Sequence, residues 1–210
     1  MRINALKTSP DRAGRYWVTF EDGSRLGLYR QTVEDFGLYT GLELSEERLA
    51  DLRTAAGQWS AKMRAVRIVS ASSVSKKDLQ QRLIRKGEDP DQAREAVQWM
   101  EDLHLVDDRN TAEQVVHSCI ARGYGLSRAK QALYEKRIPR EYWEEALAEY
   151  PQQEEKIEAF LRSRLDADSD QKDIKKAVDA LLRRGHSYGT IRRVLNELTF
   201  DTHEFPEEYI

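Results

Sequence analysis

The sequence is short of the residues that most often anchor chemistry or cross-links. It holds one cysteine among 210 residues, which excludes an internal disulfide framework and a multi-cysteine zinc module. Five prolines and 11 glycines are too few for collagen-like, mucin-like or fully disordered chains. No stretch approaches the roughly 18 consecutive apolar residues of a membrane-spanning helix. The opening MRINALKTSPDR lacks the apolar core of a signal peptide, so a cytoplasmic protein without membrane contact is the expectation. Excess charge of one sign is also missing: 34 basic against 37 acidic residues leave −3, which excludes a uniformly basic nucleic-acid coat.

Regional charge is more informative. Residues 1–56 carry 8 bases and 9 acids, 57–106 carry 9 and 7, 107–151 carry 7 and 8, and 152–200 carry 10 and 9. Residues 201–210 carry no base and 4 acids, so the negative excess belongs to an acidic C-terminal tail.

What is present reads first as a small β-hairpin. Tyr16-Trp17-Val18-Thr19-Phe20 is aromatic and β-branched, as strands are. Glu21-Asp22-Gly23-Ser24 carries Asp-Gly at its centre, a turn signal, and Arg25-Leu26-Gly27-Leu28-Tyr29 returns as a second strand. Two strands alone are marginal, so helices must cover one face. Thr32 to Leu38 reads as a short helix, and Ser45 caps another through Leu49, Leu52 and Ala56. Residues 1–56 are thus expected to form a hairpin-and-helix module.

Beyond Gln58 apolar residues recur at helical spacing. Ser75 before Lys76-Lys77-Asp78 reads as a capping box with Asp in place of Glu, and Asp89-Pro90 as a cap followed by proline at the first helical position. Three segments, 79–100, 129–150 and 177–198, align without a gap. Leu83, Leu133 and Leu181 share a column, as do Lys86, Lys136 and Arg184, and Ala93, Trp143 and Ile191. Each segment has a helix ahead of it, at Ala61–Val69, Thr111–Arg122 and Glu154–Leu165. One amphipathic helix cannot stand alone, but three bury their stripes together. The expected fold is therefore mainly α: three tandem three-helix repeats (57–106, 107–151 and 152–200) in an elongated array. The middle repeat has Arg137 where the others have Gly87 and Gly185. A left-handed backbone there would be strained.

Material for catalysis is poor. His104, His117, His186 and His203 are scattered, with no His-Glu-x-x-His. Cys119 sits among Val115, Val116 and Ile120 and reads as a buried core thiol. Gly123-Tyr124-Gly125 follows a helix and lacks the Gly-Lys-Ser/Thr of a phosphate loop. Asp166, Asp168 and Asp170 open like a calcium loop, but Gln171 and Ala177 stand where glycine and glutamate are needed. No enzyme, metal or cofactor is expected. The bases instead gather by repeat: Lys76, Lys77, Arg82, Arg85 and Lys86; Arg122, Arg128, Lys130, Lys136 and Arg137 beside Tyr124; and Lys172, Lys175, Lys176, Arg183, Arg184, Arg192 and Arg193. An intermittent positive face of this kind suits phosphates or an acidic protein groove.

Several motifs carry a family resemblance. They are Ser75 with Leu79 and Leu83 before Lys86-Gly87, Leu103-x-Leu105-Val106-Asp107-Asp108, and Arg122-Gly123-Tyr124-Gly125 followed by Leu133. Arg183-Arg184-Gly185-His186-Ser187-Tyr188 with Ile191 completes the set. Over nearly its whole length the chain resembles the RecX family of recombinase regulators. The resemblance implies a curved array of three-helix repeats that binds the RecA filament on single-stranded DNA. There it would modulate, usually inhibit, ATP hydrolysis and strand exchange as a monomer without catalytic machinery, with weak direct DNA contacts. The bases of the three repeats and Tyr124 are then the contact candidates. The alternative is a stand-alone helical DNA-binding module.

Overall fold

A computed structural model describes residues 1–10, 14–166 and 168–198; the acidic tail of the sequence reading lies outside them. The chain divides into two units, at Asp107/Asp108.

The first unit opens with an antiparallel sheet of three strands, β1 (Ile3–Thr8), β2 (Arg15–Phe20) and β3 (Arg25–Tyr29), in that order. The hairpin β2–β3 is as expected. Gly23 takes φ 79° at the turn, and Thr19 faces Arg25 across the strands. The sequence reading missed β1. Ile3 and Leu6 are three residues apart, a helix-like spacing, because a register shift between Ile3 and Ala5 interrupts the alternation. Val18, Phe20 and Leu28 point inward and join Ile3, Leu38, Leu44, Leu49 and Leu52 in one core. The short helix α1 (Arg30–Asp35) and the long helix α2 (Glu46–Ala71) cover that face.

One correction concerns α2. The sequence reading ends one helix at Ala56 and starts another at Ala61, yet the helix runs unbroken through Gly57. The step of five residues turns the buried stripe by about 140° around the axis. Leu49, Leu52 and Ala56 therefore serve the sheet core. Ala61, Ala65 and Ile68 serve a second core with α3 (Lys76–Arg85) and α4 (Pro90–Asp102). Both expected caps are in place. Ser75 accepts from the Asp78 amide (3.1 Å), and Asp89 from those of Asp91 (2.9 Å) and Gln92 (3.2 Å).

The second unit holds α5 (Asp108–Ala121), α6 (Leu126–Glu135), a 3-10 turn (Arg140–Tyr142) running into α7 (Trp143–Leu147), and then α8 (Glu154–Arg162), α9 (Gln171–Arg183) and α10 (Tyr188–Glu197). Ala112, Val116, Leu133 and Ile138 centre one core. Ile157, Leu161, Leu181 and Ile191 centre another. Asp170 caps α9 by accepting from the Asp173 amide (2.9 Å). Cys119 is buried, and desolvation raises its thiol pKa.

Six helices end in the same way. At Gly37, Gly87, His104, Gly123, Arg137 and Gly185 the backbone turns to φ between 55° and 88°. Around the aligned leucines the bonds are Gly87 N to Ile84 O (2.9 Å) with Glu88 N to Leu83 O (3.1 Å), then Arg137 N to Tyr134 O (2.8 Å) with Ile138 N to Leu133 O (3.1 Å). The third pair is Gly185 N to Leu182 O (2.8 Å) with His186 N to Leu181 O (3.2 Å). This paired return is the Schellman stop. It answers the question posed by Arg137: the turn is unaltered, and arginine adopts φ 57°. Replacing Arg137 by glycine is expected to stabilise the protein by about 1 kcal/mol. The check is a higher urea midpoint at unchanged slope; no gain would mean that the arginine side chain makes a compensating contact.

Candidate functional site

The residue that follows each repeat's left-handed turn is buried, and it differs from copy to copy. Glu88 bonds Arg64 (2.5 Å) and Ser60 (3.1 Å) on α2. Ile138 joins the hydrophobic core. His186 meets the Gly123 carbonyl at 3.0 Å, and since a carbonyl only accepts, Nε2 carries the hydrogen.

That histidine belongs to a junction built from helix ends. The Gly125 amide, at the start of α6, donates to Arg184 O (2.9 Å), and the Ser127 amide donates to Gly185 O (3.2 Å). The spare donors at the start of α6 meet the spare acceptors at the end of α9, so each helix terminus caps the other, and the positive end of one helix dipole faces the negative end of the other, which is favourable. Gly125 has no side chain for an N-cap and uses these carbonyls instead. The end of α5 is closed by side chains: Tyr150 Oη donates to Tyr124 O (2.6 Å), and Gln153 Nε2 to Ile120 O (3.2 Å) and Tyr124 O (3.3 Å). The approach is so close that a Cβ on Gly125 would lie 2.1 Å from Gly185 O, and one on Gly185 would lie 2.3 Å from Arg128 N. Gly123-Tyr124-Gly125 is thus a backbone docking element, with Tyr124 half-buried.

The junction gathers Arg122, Tyr124, Arg128, Arg183 and Arg184 from the candidate set. It also brings in Lys156, whose side chain lies beside Gly123. Arg128 pairs with Glu135 (3.0 Å). The Arg184 guanidinium stands 4.7 Å from the Phe160 ring centroid, with Arg164 at 5.5 Å from it. The sequence reading missed Lys156, Arg164, Tyr150 and Gln153; Tyr150 only closes the middle aligned segment, and the other three lie outside the aligned segments.

Other candidates are engaged within their own repeat. Lys76 pairs with Glu101 (2.8 Å), and Arg82 with the buried carboxylate of Asp78 (2.8 Å), which Arg85 approaches at 3.9 Å. Lys176 pairs with Asp173 (2.7 Å). Arg193 binds Glu154 and Gln152 (2.6 Å to the latter). Lys136 is half-buried. Lys77, Lys86, Arg122, Lys130, Arg137, Lys175, Arg183 and Arg192 are exposed, and the ion pairs among the described residues involve none of them. Among the described residues no His, Cys, Asp and Glu group is arranged to hold a metal. No helix there is long and apolar enough to cross a membrane.

Two outcomes test the junction. Gly87 and Gly185 share the same turn, with φ 88° and 87°, but only Gly185 is crowded. Gly87→Ala is expected to cost about 1 kcal/mol for the left-handed alanine, and Gly185→Ala a further 1–3 kcal/mol or so for the clash; equal urea midpoints would refute the close contact. His186 has its pKa lowered from 6.5, first by burial. The unfolded chain then binds a proton that the folded chain resists. Stability is full above pH 6.5 and falls as pH drops through the lowered folded value. A thermal midpoint that declines below pH 6.5 in the native chain and is flatter in His186→Gln is the expected result.

Residues 107–147 match the family model described as RecX, second three-helix domain. Regulatory protein RecX of Clostridioides difficile (strain 630) is 27% identical over 210 residues, covering 97% of each chain. Regulatory protein RecX of Oceanobacillus iheyensis is 25% identical, covering 94% of this chain and 75% of the relative. A crystal structure titled regulatory protein RecX shares the fold with a TM-score of 0.63, at 21% identity over 93% of this chain and 98% of the other. The motifs at the helix stops and at the junction, the matched middle repeat and the likeness to RecX regulatory proteins over nearly the whole chain support a RecX family protein.

Proposed function

We propose that this chain binds the RecA filament on single-stranded DNA and modulates, chiefly by inhibition, ATP hydrolysis and strand exchange. The observation that carries the reading is the junction in the second unit, where Arg122, Arg128, Arg183 and Arg184 converge on two helix ends locked by main-chain bonds. Bases at a rigid seam form a fixed positive surface, which attracts an acidic protein groove or a phosphate backbone. Segments 57–106, 107–151 and 152–200 serve in this reading as successive contact repeats of a monomer acting in the cytoplasm. Their exposed bases Lys77, Lys86, Lys130, Lys175 and Arg192 extend the surface. The mechanism is steric and electrostatic: the chain bridges neighbouring recombinase subunits and resists the motions that accompany turnover.

The test is the cognate recombinase's single-strand-dependent ATPase and strand exchange, titrated with the purified chain. Inhibition is expected, and Arg122→Glu with Arg183→Glu should shift the half-maximal concentration upward by about tenfold or more, the loss of roughly 1.4 kcal/mol of binding. Unchanged rates over a broad range of added native chain would defeat the proposal. Strong sequence-selective binding to naked duplex, without any effect on the filament, would favour the stand-alone DNA-binding reading instead.

A further inference from the structure

The face of the sheet turned away from its core has no part in that reading. Val18, Phe20 and Leu28 point inward, so alternation puts Arg15, Trp17 and Thr19 of β2 and Arg25, Gly27 and Tyr29 of β3 on the other side. The register adds Lys7, opposite Trp17, and Ala5, opposite Thr19. The three strands contain Lys7, Arg15 and Arg25 and no acidic residue. The acids of the hairpin turn are occupied elsewhere. Glu21 accepts from the Arg2 amide (3.1 Å) and Asp22 from the Ser24 hydroxyl (2.6 Å).

The aromatic residues on this face are arranged as a platform. Trp17 faces Gly27 across the strands, and a Cβ at residue 27 would lie 3.2 Å from Cζ3 of the indole. The missing side chain therefore lets the ring lie down over the neighbouring strand. Trp17 is 38% exposed. Tyr29 is its diagonal neighbour, roughly 7–8 Å away along the same face. Each ring has its own guanidinium: Arg25 at 5.1 Å from the Trp17 centroid and Arg15 at 4.9 Å from that of Tyr29. Arg67 of α2 reaches the Tyr29 hydroxyl at 3.5 Å. Lys7 and Arg25 are exposed.

We infer that this sheet face is a binding site for single-stranded DNA, with Trp17 and Tyr29 stacking bases and Lys7, Arg15 and Arg25 meeting phosphates. Flat rings interleaved with cations are what an unpaired strand requires, because each nucleotide offers one π-face and one negative charge. Stacking a base outweighs an exposed cation–π contact, so a base displaces the Arg25 guanidinium from Trp17 and a phosphate receives it. Duplex DNA hides its base faces and cannot use the rings. The choice of DNA over RNA is the one point that rests on the filament reading above.

Fluorescence anisotropy of a labelled oligothymidylate with the full chain, at low and raised salt and without recombinase, tests this. Binding that weakens with salt is expected. Trp17→Ala should reduce affinity by about tenfold or more, Trp17→Phe by about threefold at most, and Arg15→Ala with Arg25→Ala should flatten the salt dependence. Trp17 lies outside the core but its ring covers Gly27, so the thermal midpoint is expected to fall modestly for Trp17→Ala and little for Trp17→Phe, and binding is compared well below both midpoints. Absence of binding, equal affinity for Trp17→Ala and the native chain, a Phe variant as weak as the Ala variant, or preference for duplex would each overturn the site. Tighter binding of oligouridylate would overturn its assignment to DNA. Because recombinase is absent, loss of this binding with ATPase modulation intact sinks only the sheet site, and the reverse sinks only the filament reading.

Discussion

The structure depends on how its helices stop. An α-helix leaves its last carbonyls without internal partners. Here a single left-handed residue folds the chain back so that its own amide and the next one donate to two of them. The same turn swings the next residue inward, placing Glu88, Ile138 and His186 in buried positions. Leu83, Leu133 and Leu181, which supply the accepting carbonyls, are themselves fully or almost fully buried. One local bond pattern thus fixes the angle between consecutive helices and anchors the centre of each small core. What varies is the chemistry of the buried residue after the turn: an ion pair to α2, an aliphatic contact, or a bond to the neighbouring repeat.

The bases at these stops then have two physical reasons to be there. A cation near a helix C-terminus is favoured by the dipole, which explains Arg85, Lys86, Arg183 and Arg184 without any partner. The docking of α9 on α6 adds a second reason, because it brings cations from separate repeats to one seam. Arg82 and Lys76 show the opposite case. Each is tied to a carboxylate within its repeat, so its charge is largely spent on holding α3 in place.

Much of this was legible in the sequence wherever the signal was local. The Asp22-Gly23 turn, the Ser75 and Asp89 caps and the leucine column each depend on neighbours within a few positions. β1 was hidden by its bulge, which put Ile3 and Leu6 at a helical interval. The continuity of α2 was hidden because its buried stripe changes side after Ala56, and a change of face reads as a change of helix. The junction had no sequence signature beyond its glycines. Its bonds join backbone groups and a histidine 63 residues from its acceptor, and only the folded chain brings these together. The sheet face was concealed for a related reason: Lys7 and Gly27 become neighbours of Trp17 only through the register.

The unbroken α2 has a consequence for how the first unit comes apart. Its 26 residues form a rod about 39 Å long, whose two ends lie in different cores. Fraying at either end removes buried surface from that core and also shortens the helix on which the other depends. Hydrogen exchange in the sheet and in α3 and α4 should therefore be drawn into one cooperative opening. The first unit would then yield as a single foldon, despite having a β half and an α half.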